Sequence, residues 1–188
     1  MIRIGVTGHR ILTNQRKIKT GIKQVINMLI LSYPEAKWEI VSALAEGADC
    51  LFVEEAMNQL QAELVAVLPL SIDEYLYEFH DPSNRTIFNM LLKNAKKIIE
   101  IEQQTSKEEA YLAAGAYLVD NCDILVAIWD GQKAQGIGGT GDIVGLARQR
   151  SMPLAWIQAG NRRHGTKEPT DLEDRQGQVT FERFSPIN

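Results

Sequence analysis

Ile2-Arg3-Ile4-Gly5-Val6-Thr7-Gly8-His9-Arg10 starts as a strand-like run rich in β-branched residues and stops at a glycine followed by a histidine and an arginine. Five further short runs share its character, at residues 38–41, 64–68, 98–101, 124–129 and 154–157. Each is nearly continuous in apolar residues, as expected of parallel strands covered on both faces. Between the runs lie helical stripes. Ile18, Ile22, Val25, Ile26 and Leu29 mark one face of a helix that Thr13 or Asn14 could cap. Leu51, Phe52, Glu55, Ala56 and Leu60 mark a second, Phe88, Leu91, Leu92 and Ala95 a third after Pro82, and residues 111–119 and 143–148 two more.

Strand–helix alternation of this kind implies right-handed crossovers. It predicts an α/β, doubly wound, mostly parallel sheet of about six strands with helices on both faces, a Rossmann-like architecture. The pattern fills residues 1–159 as one domain. Residues 160–188 depart from it: they are polar, and only Val179-Thr180-Phe181-Glu182-Arg183-Phe184 alternates like a strand. This segment reads either as a flexible tail or as a strand that pairs with a sheet edge or a second subunit.

Composition narrows the class. The chain has 188 residues, 45% of them hydrophobic, and a net charge of −4, which supports a sizeable core and excludes a disordered chain. No apolar run approaches the ~18 residues of a membrane helix. The N-terminus enters a strand directly and lacks a signal-peptide layout. Mild acidity argues against nucleic-acid binding. Cys50 and Cys122 are far apart and read as small buried hydrophobes in a reducing cytoplasm. No CxxC pair occurs, and His9, His80 and His164 are scattered, so no metal site is expected.

In open α/β sheets, ligands bind beyond the carboxyl ends of the strands, where strand order reverses. Three loops leave such ends carrying unusual residues. In Thr7-Gly8-His9-Arg10, Gly8 lets the backbone turn and expose amides, Thr7 offers a hydroxyl, and Arg10 offers a planar fork suited to phosphate. On four residues alone, a plain turn with Arg10 paired to a surface acid is the simpler account. In Ala45-Glu46-Gly47-Ala48-Asp49, Gly47 is small enough for close ligand approach. Glu46 and Asp49 read either as first-turn acids complementing a helix dipole, which is favoured, or as groups that bond ribose hydroxyls or orient Arg10. The third loop is the richest: Trp129-Asp130-Gly131, then Gly136-Ile137-Gly138-Gly139-Thr140-Gly141-Asp142 ahead of an apolar helix. Four glycines in six residues at a helix start form an anion cradle of bare amides, to which Thr140 adds a hydroxyl. Flexibility alone does not explain that placement.

Gly136, Gly138 and Gly141 formally fit GxGxxG, but the strand ends several residues earlier and Asn161-Arg162 stand where a ribose-binding acid belongs. No GxxxxGK[ST] occurs.

Val6-Thr7-Gly8-His9-Arg10, Leu44-Ala45-Glu46-Gly47-Ala48-Asp49, Val67-Leu68-Pro69-Leu70 with Glu74-Tyr75 and Phe79, and Ile128-Trp129-Asp130-Gly131 with Gly138-Gly139-Thr140 occur in order. Together they resemble the SLOG superfamily, the Rossmann-like group containing the DNA-processing protein DprA and the LOG "lysine decarboxylase-like" phosphoribohydrolases. The likeness covers residues 1–158 and is nearest to the bacterial nucleotide-sensing branch, here as a stand-alone version without an effector domain. It implies a pocket for a nucleotide or nucleotide derivative. Thr7, Gly8, His9, Arg10, Gly138, Gly139, Thr140 and Gly141 would face phosphate; Glu46, Gly47, Asp49, Asp130 and Asp142 would face base or ribose.

One departure bears on activity. The hydrolase branch carries PGGxGTxxE, whose glutamate assists N-glycosidic cleavage. Counting from Thr140, that position is Ile143, and no proline precedes the glycines in the required place. Asp142, one residue short, would point elsewhere on the helix. Binding as a sensor or regulator therefore ranks above a phosphoribohydrolase acting on nucleoside monophosphates, for which Glu46, Asp142 and His9 are weak acid–base candidates. No cofactor beyond the nucleotide is expected, and a homo-oligomer is. Tyr75 and Phe79 are read as core aromatics rather than base-stacking groups, and Lys93, Lys96 and Lys97 as a solvated helix face.

Overall fold

The computed structural model describes residues 1–79, 81–163, 165–166 and 168–184; His80 and His164 lie outside the described residues. The chain runs β1 (Ile2–Gly8), α1 (Gln15–Ser32), β2 (Trp38–Ser42), α2 (Ala48–Leu60), β3 (Glu63–Leu68), α3 (Ile72–Tyr77), α4 (Pro82–Lys93), β4 (Lys97–Glu100), α5 (Lys107–Asn121), β5 (Ile124–Trp129), α6 (Thr140–Gln149), β6 (Leu154–Gln158) and β7 (Val179–Glu182). All seven strands form one sheet in the order β4-β3-β2-β1-β5-β6-β7. The six expected strands are parallel, and β7 joins β6 antiparallel as a seventh. The architecture is thus α/β and Rossmann-like, with one strand more than the six sequence runs.

The apolar runs explain this packing. Ile4, Val6, Ile40, Leu64 and Val126 face α1, α2 and α4 on one side. Val41, Val65, Val67, Leu125 and Ala127 face α5 and α6 on the other. β2 and β5, which flank the central β1, are buried at every position, and β1 is buried at its middle residues Ile4, Gly5 and Val6. β4, at the sheet edge, is instead largely exposed, with Ile98 in solvent, so its apolar run is that of an edge strand covered on one side. Among the described residues no helix is long and apolar enough to cross a membrane.

Local expectations were met unevenly. Asn14 occupies the residue before α1 in a left-handed conformation (φ 47°) and its side chain makes no capping bond. Thr13 also leaves the helix uncapped, its hydroxyl donating to Thr170 O at 2.9 Å. Thr13 serves the junction with the C-terminal segment instead. The lysine run is split: Lys93 ends α4, Lys97 opens β4, and Lys96 between them pairs with Glu63 across to β3. Cys50 is buried and donates to Leu44 O, while half-buried Cys122 has its thiol pushed up to about 12 by burial.

Polar as it is, the segment after β6 is fastened by hydrogen bonds as well as by Val179, Phe181 and Phe184, which pack against the main core. Gln158 and the 177–178 backbone exchange bonds at 2.7 and 2.8 Å. The buried Gln176 side chain accepts from Gly160 N at 2.9 Å and donates to Thr13 O at 2.9 Å, tying β6, the arm and the β1–α1 loop together. Arg148 of α6 grips Glu182 of β7 through two N–H groups at 2.6 and 3.1 Å. Gln176→Ala leaves a buried amide and carbonyl unpaired, so it should lower the unfolding free energy by about 2 kcal/mol. Urea denaturation checks this, and an unchanged midpoint would show that the arm is fastened elsewhere.

Candidate functional site

The chain reverses its build-out between β1 and β5, which lie side by side with Gly8 opposite Ile128. A cavity of about 440 Å³ opens at the carboxyl ends of these two strands, within the size range of small-molecule pockets. Thr7, Gly8, His9 and Arg10 line it from β1, Glu46 and Asp49 from the β2–α2 connection, and Gly138, Gly139, Thr140 and Gly141 from the start of α6. Three predicted residues stand elsewhere. Gly47 (φ +88°) packs against the Arg10 carbonyl and lines a neighbouring cavity. Asp130 and Asp142 lie just outside the main cavity and bond to residues that line it.

Backbone bonds set the close spacing. His9 N donates to Ile128 O, and Ala48 N donates to His9 O, both at 3.0 Å. A Cβ built on Gly8 would lie 2.4 Å from Ala48 Cβ and 2.7 Å from Ile128 O, so only glycine lets β1, β5 and α2 meet. At the other wall, Gly138 (φ +77°) turns the loop onto the start of α5, where an added Cβ would lie 2.5 Å from Leu112 N. Asp142 accepts from Gly138 N at 3.0 Å, and Gly139 O accepts from Asp142 N and Ile143 N. Asp142 therefore holds the turn together. Thr140 and Gly141 are left with the leading, intrahelically unpaired amides of α6. Gly136 has neither positive φ nor a close neighbour, so its lack of a side chain answers no constraint visible here.

Arg10 is half-buried, and its guanidinium lies over the Tyr111 ring, 5.0 Å from the centroid. Burial works against its charge but is outweighed by Tyr75, Tyr111 and Glu78, which hold it cationic. Below it, Asp49 is 3% exposed. Burial pushes its carboxyl up to about 7, against the opposing pull of the Ala45 and Gly8 amides, the Ser42 hydroxyl and Arg10. A neutral or half-charged Asp49 is compatible with an anion on Arg10. Glu46 accepts from Asn84 Nδ2 at 2.6 Å and from Asp81 N at 3.3 Å, anchoring the start of α4. His9 Nε2 lies 3.1 Å from both the Asp130 backbone nitrogen and Oδ1. Burial raises the Asp130 carboxyl, but the His9 bond and the Gln132 amide bring it below its ordinary value.

Several cavity residues escaped sequence reading. Tyr111 carries Arg10, and Tyr75, read as core, is also a cavity wall. Tyr75 and Phe79 do pack in the core with Phe88, at centroid distances of 5.5, 5.8 and 5.1 Å. Asn161 and Arg162 follow β6 and reach the same cavity; applying the strand-end rule to β6 would have found them. Ile143, at the hydrolase glutamate position, is 2% exposed, lines the cavity and lies close against Gly115. Among the described residues no group of three or more His, Cys, Asp or Glu is placed to hold a metal ion.

No protein-family model matches the chain, and no curated protein matches it. Among solved structures, the X-ray structure of TM1055, a structural genomics target, is similar at 14% identity and a TM-score of 0.48, over 82% of this chain and 72% of that one.

Proposed function

We propose that this chain binds a nucleotide or nucleotide derivative in the β1/β5 crevice, as a sensor or regulator. One observation carries the reading: the leading amides of α6 and the Arg10 guanidinium line the same cavity. Helix-start amides and a planar cation are complementary to phosphate oxygens. The ordered motifs that resemble the SLOG superfamily contribute both walls, and the nucleotide-sensing branch is the placement we favour within it. Binding without hydrolysis is favoured because Asp142 is engaged with Gly138, Glu46 with Asn84, and an isoleucine occupies the position of the hydrolase glutamate. Release of free base from a nucleoside monophosphate would reverse that preference, with the His9–Asp130 pair as the acid–base group.

The test is thermal shift across nucleoside mono-, di-, tri- and cyclic phosphates. A ligand at 100 times its Kd stabilises by about 2.7 kcal/mol, or roughly 5–10 °C in Tm for a chain of this size. Arg10→Ala should abolish the shift. No shift with any phosphorylated nucleotide would overturn the reading. Self-association, if it occurs, would use the sheet's open edges at β4 and β7; sedimentation showing only monomer would remove it.

A further inference from the structure

Tyr75 and Tyr111 both line the cavity and have buried hydroxyls; that of Tyr75 has no hydrogen-bond partner, and that of Tyr111 has only the Arg10 guanidinium beside it, so neither phenol proton is donated. Tyr75 is 1% exposed, and its ring lies 6.2 Å from that of Tyr111. Buried hydroxyls are satisfied in the great majority of cases, so each orphan calls for an explanation. Core packing gives none: phenylalanine would fill the same aromatic cluster with Phe79 and Phe88. The neighbours of the hydroxyls select their missing partner. Arg10 has only donors to offer. Asp49 is already engaged by Ser42 and by the Ala45 and Gly8 amides. A group entering here meets donors and a positive charge, and must therefore be an acceptor, best an anion.

The helix-start amides are a second donor set, and Tyr111 joins the two. Its Cβ would lie 3.0 Å from a Cβ on Gly138, while its ring lies under Arg10. We infer that Tyr75, Tyr111 and Arg10 form a second oxyanion subsite beside the α6 amides, so that the ligand is a diphosphate-bearing nucleotide rather than a nucleoside monophosphate. This rests on the nucleotide reading of the cavity and adds the phosphate number to it. The subsite at α6 takes one phosphate and the tyrosine–arginine subsite takes the adjoining one.

Calorimetric titration with the 5′-mono- and 5′-diphosphates of adenosine, guanosine, cytidine and uridine tests it on the full chain and on Tyr75→Phe, Tyr111→Phe and the double variant. For the preferred base, the diphosphate should bind wild type about tenfold or more tightly than the monophosphate, the size of one hydrogen bond to a charged group. Each phenylalanine should reduce that ratio, and the double variant should bring it near unity by losing more diphosphate than monophosphate affinity. Without ligand, the Tm of Tyr75→Phe should stay level or rise, because an orphan hydroxyl is removed. Equal binding of both phosphates by wild type, a ratio untouched by the variants, or a Tyr75→Phe chain that melts lower, as loss of a structural bond would cause, each overturns the inference while leaving the nucleotide reading intact. Failure of every nucleotide to bind overturns that reading itself.

Discussion

A Gly8→Val chain should lose about 3 kcal/mol or more of stability and fail to bind nucleotide even under conditions where it remains folded. An added Cβ would press on Ala48 Cβ at 2.4 Å and on the Ile128 carbonyl at 2.7 Å. The second contact is backbone of the adjacent central strand, and the first sits at the beginning of α2, so neither can yield as the tip of a flexible side chain would. Overpacking of this sort costs about 1–3 kcal/mol and occasionally more; β-branching at the site places it at the upper end. The clash would spread β1 from β5 and disturb the His9 bonds to Ile128 and Ala48, which set the spacing of the cavity walls. Urea denaturation and calorimetry check the two halves separately. Wild-type stability in Gly8→Val would mean that the strand ends are looser than the geometry requires.

Asp49→Asn should change the pH dependence of stability more than any other single substitution at the site. The carboxyl titrates near 7 in the fold and near 3.9 in an unfolded chain. Below about pH 4 both states hold the proton, and the aspartate's relative contribution is at its best. As pH rises the unfolded state ionises first and is favoured, and the loss is complete once the pH passes the folded value. A gap of about three pKa units corresponds to roughly 4 kcal/mol. Asparagine does not titrate, and whatever its amide costs against the Ala45 and Gly8 N–H groups is constant with pH. The stability of the variant relative to wild type should therefore improve by about 4 kcal/mol between about pH 4 and about pH 8. A difference that stays flat across that window would show Asp49 to be ionised and paired throughout. An anion seated on Arg10 would weaken the cation's pull on Asp49, so nucleotide binding should be accompanied by proton uptake near neutral pH.

The sheet was legible because its central strands are covered on both faces, which writes them into the sequence as unbroken apolar runs such as Ile124-Leu125-Val126-Ala127-Ile128-Trp129. β7 was only half legible. Its alternation was visible, but the choice of β6 as its partner is helped by side-chain bonds from Gln176 and Arg148 around the backbone ladder, and these leave no periodic signature. The loop residues with bare amides could be read from glycine spacing at a helix start. Tyr111 could not, because its place beneath Arg10 depends on how α5 crosses to β5, and a tyrosine at a helix beginning has no local mark of such a role. Asp142 shows the reverse limit: a carboxylate in a glycine-rich loop suggests chemistry, yet here its oxygen holds the Gly138 amide.

The most direct test of the central claim is a crystal structure of the chain grown with whichever nucleotide gives the largest thermal shift. Phosphate oxygens should lie within about 3 Å of the Thr140 and Gly141 amides and of the Arg10 guanidinium, as charge-assisted bonds require. A nucleotide bound on another surface, with this cavity filled only by water, would contradict the account.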